Sequence, residues 1–207
     1  ISACLVGSEM CIRDSIFISY RHKGPAYSWV TEYFHPLLEQ WLPESVPVEY
    51  DVKIFIDSQI ETGAEWPAKL RQALRRSRCL LPILSPEYFR SKWCQAELQT
   101  MRQREQLLGL RTDEASSGLI YAVVFAGPKL LPPEVLSIQP KDMSQWATTY
   151  SDFRKSQKFE SFESEMKRIC DEISQIIQRA PAWQDWPVIT PPEPSQRIAM
   201  ALEQTRL

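Results

Sequence analysis

Trp93 and Glu97, in the segment SPEYFRSKWCQAEL (85–98), stand four positions apart. On a helix that spacing puts an indole and a carboxylate on one face, a turn apart. Side by side they could hold a cationic or aromatic ligand. The same spacing also describes a half-buried tryptophan next to a solvated glutamate, and spacing does not separate the two readings. Neighbouring groups narrow the chemistry. Cys94 has no paired histidine to activate it, which argues against a thiol nucleophile. Ser85, ahead of Pro86, reads as a helix cap rather than a nucleophile.

Several other chemistries are excluded by composition. Among 207 residues, 24 Lys and Arg against 26 Asp and Glu leave a net charge of -2, without the cationic excess of a nucleic-acid binder. The six glycines form neither a dinucleotide fingerprint nor a phosphate-binding P-loop. His22, His35 and the cysteines at 4, 11, 79, 94 and 170 show no C-x-x-C or Cys/His cluster, so a zinc site is not expected. The odd cysteine number and the apolar neighbours of Cys79 suit reduced thiols in the cytoplasm. No run approaches the roughly 18 apolar residues of a membrane span.

The elements that must position these groups follow from hydrophobic periodicity. IFISY (16–20) reads as a buried strand feeding the basic loop RHKG. A helix follows from Pro25, its stripe formed by Val30, Phe34, Leu37, Leu38 and Trp41. Pro36 should kink it. YDVKIFI (50–56) is a second strand, then a polar loop (58–66), then a helix from Pro67. CLLPIL (79–84) is a third strand, although Pro82 is out of place in a central one. Ser85-Pro86 should open a helix running to Leu108, with Gly109 as its stop. LIYAVVFA (119–126) is a fourth strand, and 127–150 a long loop. The last helix carries Phe159, Phe162, Met166, Ile169, Ile173, Ile176 and Ile177 on one stripe.

Such alternation implies a parallel sheet covered on both sides, with ligands beyond the carboxyl ends of its strands. Residues 1–15 are expected to be a non-native or disordered leader, since 5–15 resemble a translated sequencing adapter; they lack the order of a signal peptide. Residues 16–180 form the domain. Residues 181–207, rich in Pro and Trp, read as a strap whose tryptophans dock, or as a linker.

Three blocks, ISY with its basic loop, FIDSQIETGAEW, and above all SPEYFRSKWCQAEL, resemble the signature blocks of TIR (Toll/interleukin-1 receptor) domains of the bacterial and plant types. They occur in the family's order. The resemblance implies an α/β flavodoxin-like three-layer sandwich with a five-stranded parallel sheet. It also implies cleavage of NAD+ at the nicotinamide–ribose bond, with Glu97 on the position of the family's catalytic glutamate. NAD+ is then substrate, and no cofactor or metal is needed.

One carboxylate suffices for this reaction. Nicotinamide leaves as a neutral molecule, so no general acid is required, unlike ordinary glycoside hydrolysis. On this reading Trp93 and Trp66 offer aromatic faces, Arg21 meets a phosphate, Asp57 binds a ribose hydroxyl, and Tyr20 belongs to the same loop cluster. Each also has a structural alternative: a core plug for Trp66, a solvated cation for Arg21, a loop cap for Asp57. The family resemblance further implies activity that depends on self-association and an upstream activator, in defence signalling. Two rivals share the fold: a non-catalytic TIR scaffold, and a nucleoside deoxyribosyltransferase-like glycosidase. A receiver domain would need an acidic pair after the first strand, which ISYRHKG does not supply.

Overall fold

The computed structural model describes residues 15–56, 66–112, 117–182 and 184–188. Five parallel strands, β1 (Ser15–Ser19), β2 (Lys53–Ile56), β3 (Ser77–Leu84), β4 (Val123–Val124) and β5 (Lys141–Asp142), form one sheet in the order β2-β1-β3-β4-β5. Strand alternation sorts the side chains into two cores. Ile16 and Ile18 pack with Trp29, Phe34, Leu38, Phe162 and Ile169 on one face. That layer is α1 (Pro25–Trp29), α2 (His35–Ser45) and α6 (Gln157–Arg179). Phe17, from the same strand, packs with Leu70, Leu74, Leu98 and Met101 on the other face. That layer is α3 (Trp66–Arg76), α4 (Lys92–Leu107) and α5 (Pro133–Leu136). Each large apolar side chain buried this way contributes about 1.5–3 kcal/mol. The architecture is the expected flavodoxin-like three-layer sandwich.

Local departures from the expected elements have identifiable causes. The kink at Pro36 is a π-helical segment, Val30–Phe34, between α1 and α2. Proline at 36 cannot donate to the Glu32 carbonyl and crowds it. The widened turn makes room, and the Arg154 guanidinium donates to that carbonyl instead.

Pro82 lies in the centre of the sheet after all, paired with Ser19 of β1. On its other side the Leu80 N–H donates to the Leu119 carbonyl, and the Tyr121 N–H donates to the Leu80 carbonyl. The next rung would come from the N–H of residue 82, which proline lacks. Pairing resumes at Ile83 with Val123. The fourth strand, expected over 119–126, is therefore reduced to an isolated bridge at Ile120 and the two residues of β4.

The 127–150 segment is not a plain loop: it holds α5 and β5, the latter a short polar edge strand invisible to hydrophobic periodicity. Nor does one helix run from Ser85. A single 3-10 turn at Tyr88–Arg90 comes first, and α4 starts only after Ser91. Gly109, at φ 64, ends it in the left-handed conformation that glycine adopts freely.

On α6 the predicted stripe is buried at Phe162, Met166, Ile169, Ile173 and Ile177, with Phe159 and Ile176 at its rim. Beyond α6 the described strap residues lie on the α3/α4 layer. Asp185 Oδ1 is 3.4 Å from Arg75 Nε, the Arg104 guanidinium lies 5.6 Å from the centre of the half-buried Trp186 ring, and Val188 packs on the second core.

Candidate active site

The chain leaves β1 toward β2 on one side and returns to β3 on the other, so the topological switch point lies between β1 and β3. Folds of this kind bind ligands beyond the carboxyl ends of the strands at such a point. Ser19 ends β1 there, and the turn from Ser85 to Ser91 follows β3.

This turn sets the start of α4. The Ser85 hydroxyl accepts the Tyr88 N–H at 3.2 Å, bracing the turn that leads into the 3-10 segment. The Ser91 hydroxyl accepts the Cys94 N–H at 3.4 Å, capping α4 itself. The cap of the long helix is thus Ser91 rather than the expected Ser85, which holds the turn ahead of it. The α4 register then turns Glu97 inward: it is 8% exposed, in a position where carboxylates are rarely found without partners.

The partner comes from β1. The Ser19 hydroxyl donates to Glu97 Oε2 at 2.5 Å, and it lies 2.8 Å from the Tyr88 hydroxyl. Tyr88, fully buried, also donates to the Cys94 carbonyl at 3.0 Å. Burial, followed by the Cys94 and Glu97 charges, raises the Tyr88 pKa well above the usual phenol range, so the phenol stays protonated and remains a donor. The Cys94 thiol points to the Tyr20 carbonyl at 3.5 Å. Burial first, then the Glu97 charge, pushes it up to about 12. It is therefore not a thiolate at neutral pH and cannot serve as a nucleophile.

Trp93 and Glu97 do share a face. With Leu70, Leu74, Arg71 and Val188 they line a small, shallow hollow. Arg21, half-buried, lies near enough that its charge opposes the upward shift of the Cys94 thiol. Tyr20 takes the opposite direction. Alternation along β1 sends its ring to the α1 side, where it is 2% exposed and meets His22 at 4.6 Å between ring centres. Its carbonyl faces the other way and accepts from the Cys94 thiol. Asp57 lies outside the described residues. Trp66 begins α3, and its side chain lies outside them too.

Three residues at this site escaped the sequence reading: Ser19, Tyr88 and Arg71. A polar residue closing an apolar strand is a signal for Ser19. Nothing in the local pattern marks Arg71, on the exposed side of α3.

A model of the TIR domain matches residues 16–170, and the chain belongs to the TIR domain family. The disease resistance-like protein CSA1 of Arabidopsis thaliana is 32% identical over 94 residues, which cover 45% of this chain and 7% of that protein. The chain therefore matches only a small part of this relative. Among solved structures, the TIR domain of the Toll-related receptor TRR-2 from Hydra magnipapillata aligns at a TM-score of 0.43 and 14% identity, covering 73% of this chain and 97% of that one. The TIR domains of the activated Roq1 resistosome directly recognizing the pathogen effector XopQ align at 0.39 and 14%, covering 93% and 99%. Among the described residues no helix is long and apolar enough to cross a membrane.

Proposed function

We propose that this TIR domain is an NAD+ glycohydrolase, cleaving the nicotinamide–ribose bond with Glu97 as its catalytic residue. The observation that carries the reading is the buried Glu97 carboxylate, held by Ser19 and set beside Trp93 at the switch point. As the pyridinium departs, positive charge moves onto the ribose. A fixed anion in a water-poor crevice stabilises that charge far better than it would in water. Trp93 supplies an aromatic face for the pyridinium while it is still cationic. Arg71 in the hollow and Arg21 near Cys94 are the candidates to meet the pyrophosphate, the kind of anion that guanidinium binds in bidentate fashion.

Capture of the ribosyl cation by water yields ADP-ribose; capture by an atom of the substrate yields a cyclic isomer. Turnover rises when TIR domains of several copies associate, and the physiological setting is immune or defence signalling under an upstream activator. The disease-resistance name of the plant relative supports that setting.

The size of the hollow favours a second reading. With about 10 Å³ of accessible space it falls far short of the roughly 300–1,000 Å³ of ordinary ligand sites. A scaffold acting only through TIR–TIR contacts would have no need to open it. The test is incubation with NAD+ or with free nucleosides across a range of protein concentrations, following base release. The proposal expects nicotinamide from NAD+ alone, at a specific rate that climbs with association. Base release from nucleosides but not from NAD+ would assign a different glycosidase; full turnover by a demonstrable monomer would remove the dependence on assembly; no release at any concentration would leave the scaffold.

A further inference from the structure

We propose that Ser19 is a positioning residue for Glu97: its hydroxyl orients the carboxylate and favours its ionised form. The chemical consequence rests on the glycohydrolase reading above; the effect on the carboxylate does not.

Proton accounting supplies the argument. A hydroxyl has one proton, and an ionised carboxylate can only accept. Ser19 is 1% exposed, and the oxygens of Glu97 and Tyr88 lie at 2.5 and 2.8 Å from its own. The Ser19 proton therefore belongs to Glu97. Tyr88 keeps its own proton, directed to the Cys94 carbonyl at 3.0 Å and shared with the Ser19 oxygen. Every hydrogen bond in the chain has its donor, and the chain is tied to the α4 backbone at Cys94, one turn before Glu97. A distance of 2.5 Å is that of a short, charge-assisted O–H···O bond.

In the hollow Glu97 meets Leu70, Leu74, Trp93, Ala96 and Val188 together with the Arg71 side chain of α3, and the Arg21 charge acts on neighbouring Cys94. Burial disfavours the charged form, whereas a neighbouring cation and a hydrogen bond to the charged form favour it. Only the anion can stabilise a ribosyl cation. Fixing Oε2 also sets the plane of the carboxylate, so that its orientation is already paid before substrate arrives. Ser19 has this role because strand alternation turns it, and not Tyr20, toward α4.

The test compares Ser19→Ala, Tyr88→Phe and Ser19→Thr with the wild type in the full chain. Thermal melts serve as the fold control. The Glu97 carboxyl is titrated by carbon NMR on glutamate-labelled protein, its signal assigned by its loss in Glu97→Gln. Ser19→Ala should titrate at higher pH than the wild type, Tyr88→Phe should move the same way by less, and Ser19→Thr should restore the wild-type curve.

In turnover, Ser19→Ala should lose about tenfold or more in kcat with KM nearly unchanged. The acid limb of its pH profile should move upward with the NMR titration. A Glu97 titration identical in Ser19→Ala and the wild type overturns the proposal, whatever the rates. If the titration moves but no variant or wild type releases nicotinamide, the positioning claim stands and the glycohydrolase reading falls.

Discussion

Glu97 and Glu105 stand two turns apart on α4, both buried, and they are held in opposite ways. Glu105 lies 2.9 Å from Arg111 Nε and accepts the backbone N–H groups of Leu119 and Ile120. It is locked into the approach to β4 by a cation and two amides. Glu97 receives a hydroxyl from another element and faces a hollow shared with Trp93. One carboxylate closes the fold; the other is presented to the crevice.

This contrast makes a stability prediction. Glu105→Gln leaves Arg111 without its charge partner and should cost about 3 kcal/mol, read from urea unfolding midpoints. Gly118→Ala should also destabilise, because a Cβ there would overlap the Glu105 carboxylate. Glu97→Gln should leave the midpoint nearly unchanged. A large loss at Glu97 with none at Glu105 would contradict the division of labour.

The strap makes a second prediction. Val188 lines the hollow together with Glu97 and Trp93, and a dinucleotide entering this hollow should displace it. Val188→Ser weakens the packing by up to about 1.5 kcal/mol, and kcat/KM for NAD+ should rise by as much as about tenfold. Steady-state kinetics checks this. Unchanged or lower kcat/KM would mean that substrate enters by another route.

Alkaline pH offers a third. Burial is the first cause that raises the Cys79, Cys94 and Cys170 thiols, each to about 12. An unfolded thiol titrates near about 8.5. The folded values lie above the unfolded ones, so the folded state resists ionisation. Their stabilisation is complete below about pH 8.5 and is lost as pH rises from there through about 12. Urea midpoints should fall steadily over pH 9–11. At pH 8 these three thiols should escape an alkylating reagent until the protein is unfolded, as peptide mapping would show. Rapid native labelling of Cys94 would contradict its burial.

The sheet and its layers were legible because their signals are strong. IFISY, CLLPIL and the α6 stripe are buried elements whose periodicity has one reading. The misreadings lie where local pattern competes with tertiary context. Pro82 looked wrong for a central strand, yet the rung it cannot supply falls where β4 pairing is interrupted. Lys141–Asp142 carries no apolar signal and becomes a strand only because β4 offers it an edge.

At the site, the spacing of Trp93 and Glu97 was enough to place both on one face. The Ser19 hydrogen bond joins residues 78 positions apart, so no local pattern could reveal it. Tyr20 and Arg21 are neighbours in sequence, but alternation sends the Tyr20 ring to the other side of the sheet.

The most direct test of the central claim is nicotinamide release from NAD+ by the wild type beside Glu97→Gln, at equal concentration and with matching melting curves. The Glu97 account predicts turnover by the wild type and at least a hundred-fold loss in the variant, about 2.7 kcal/mol in barrier. Equal rates in the two proteins would contradict it, and would take Glu97 out of the chemistry.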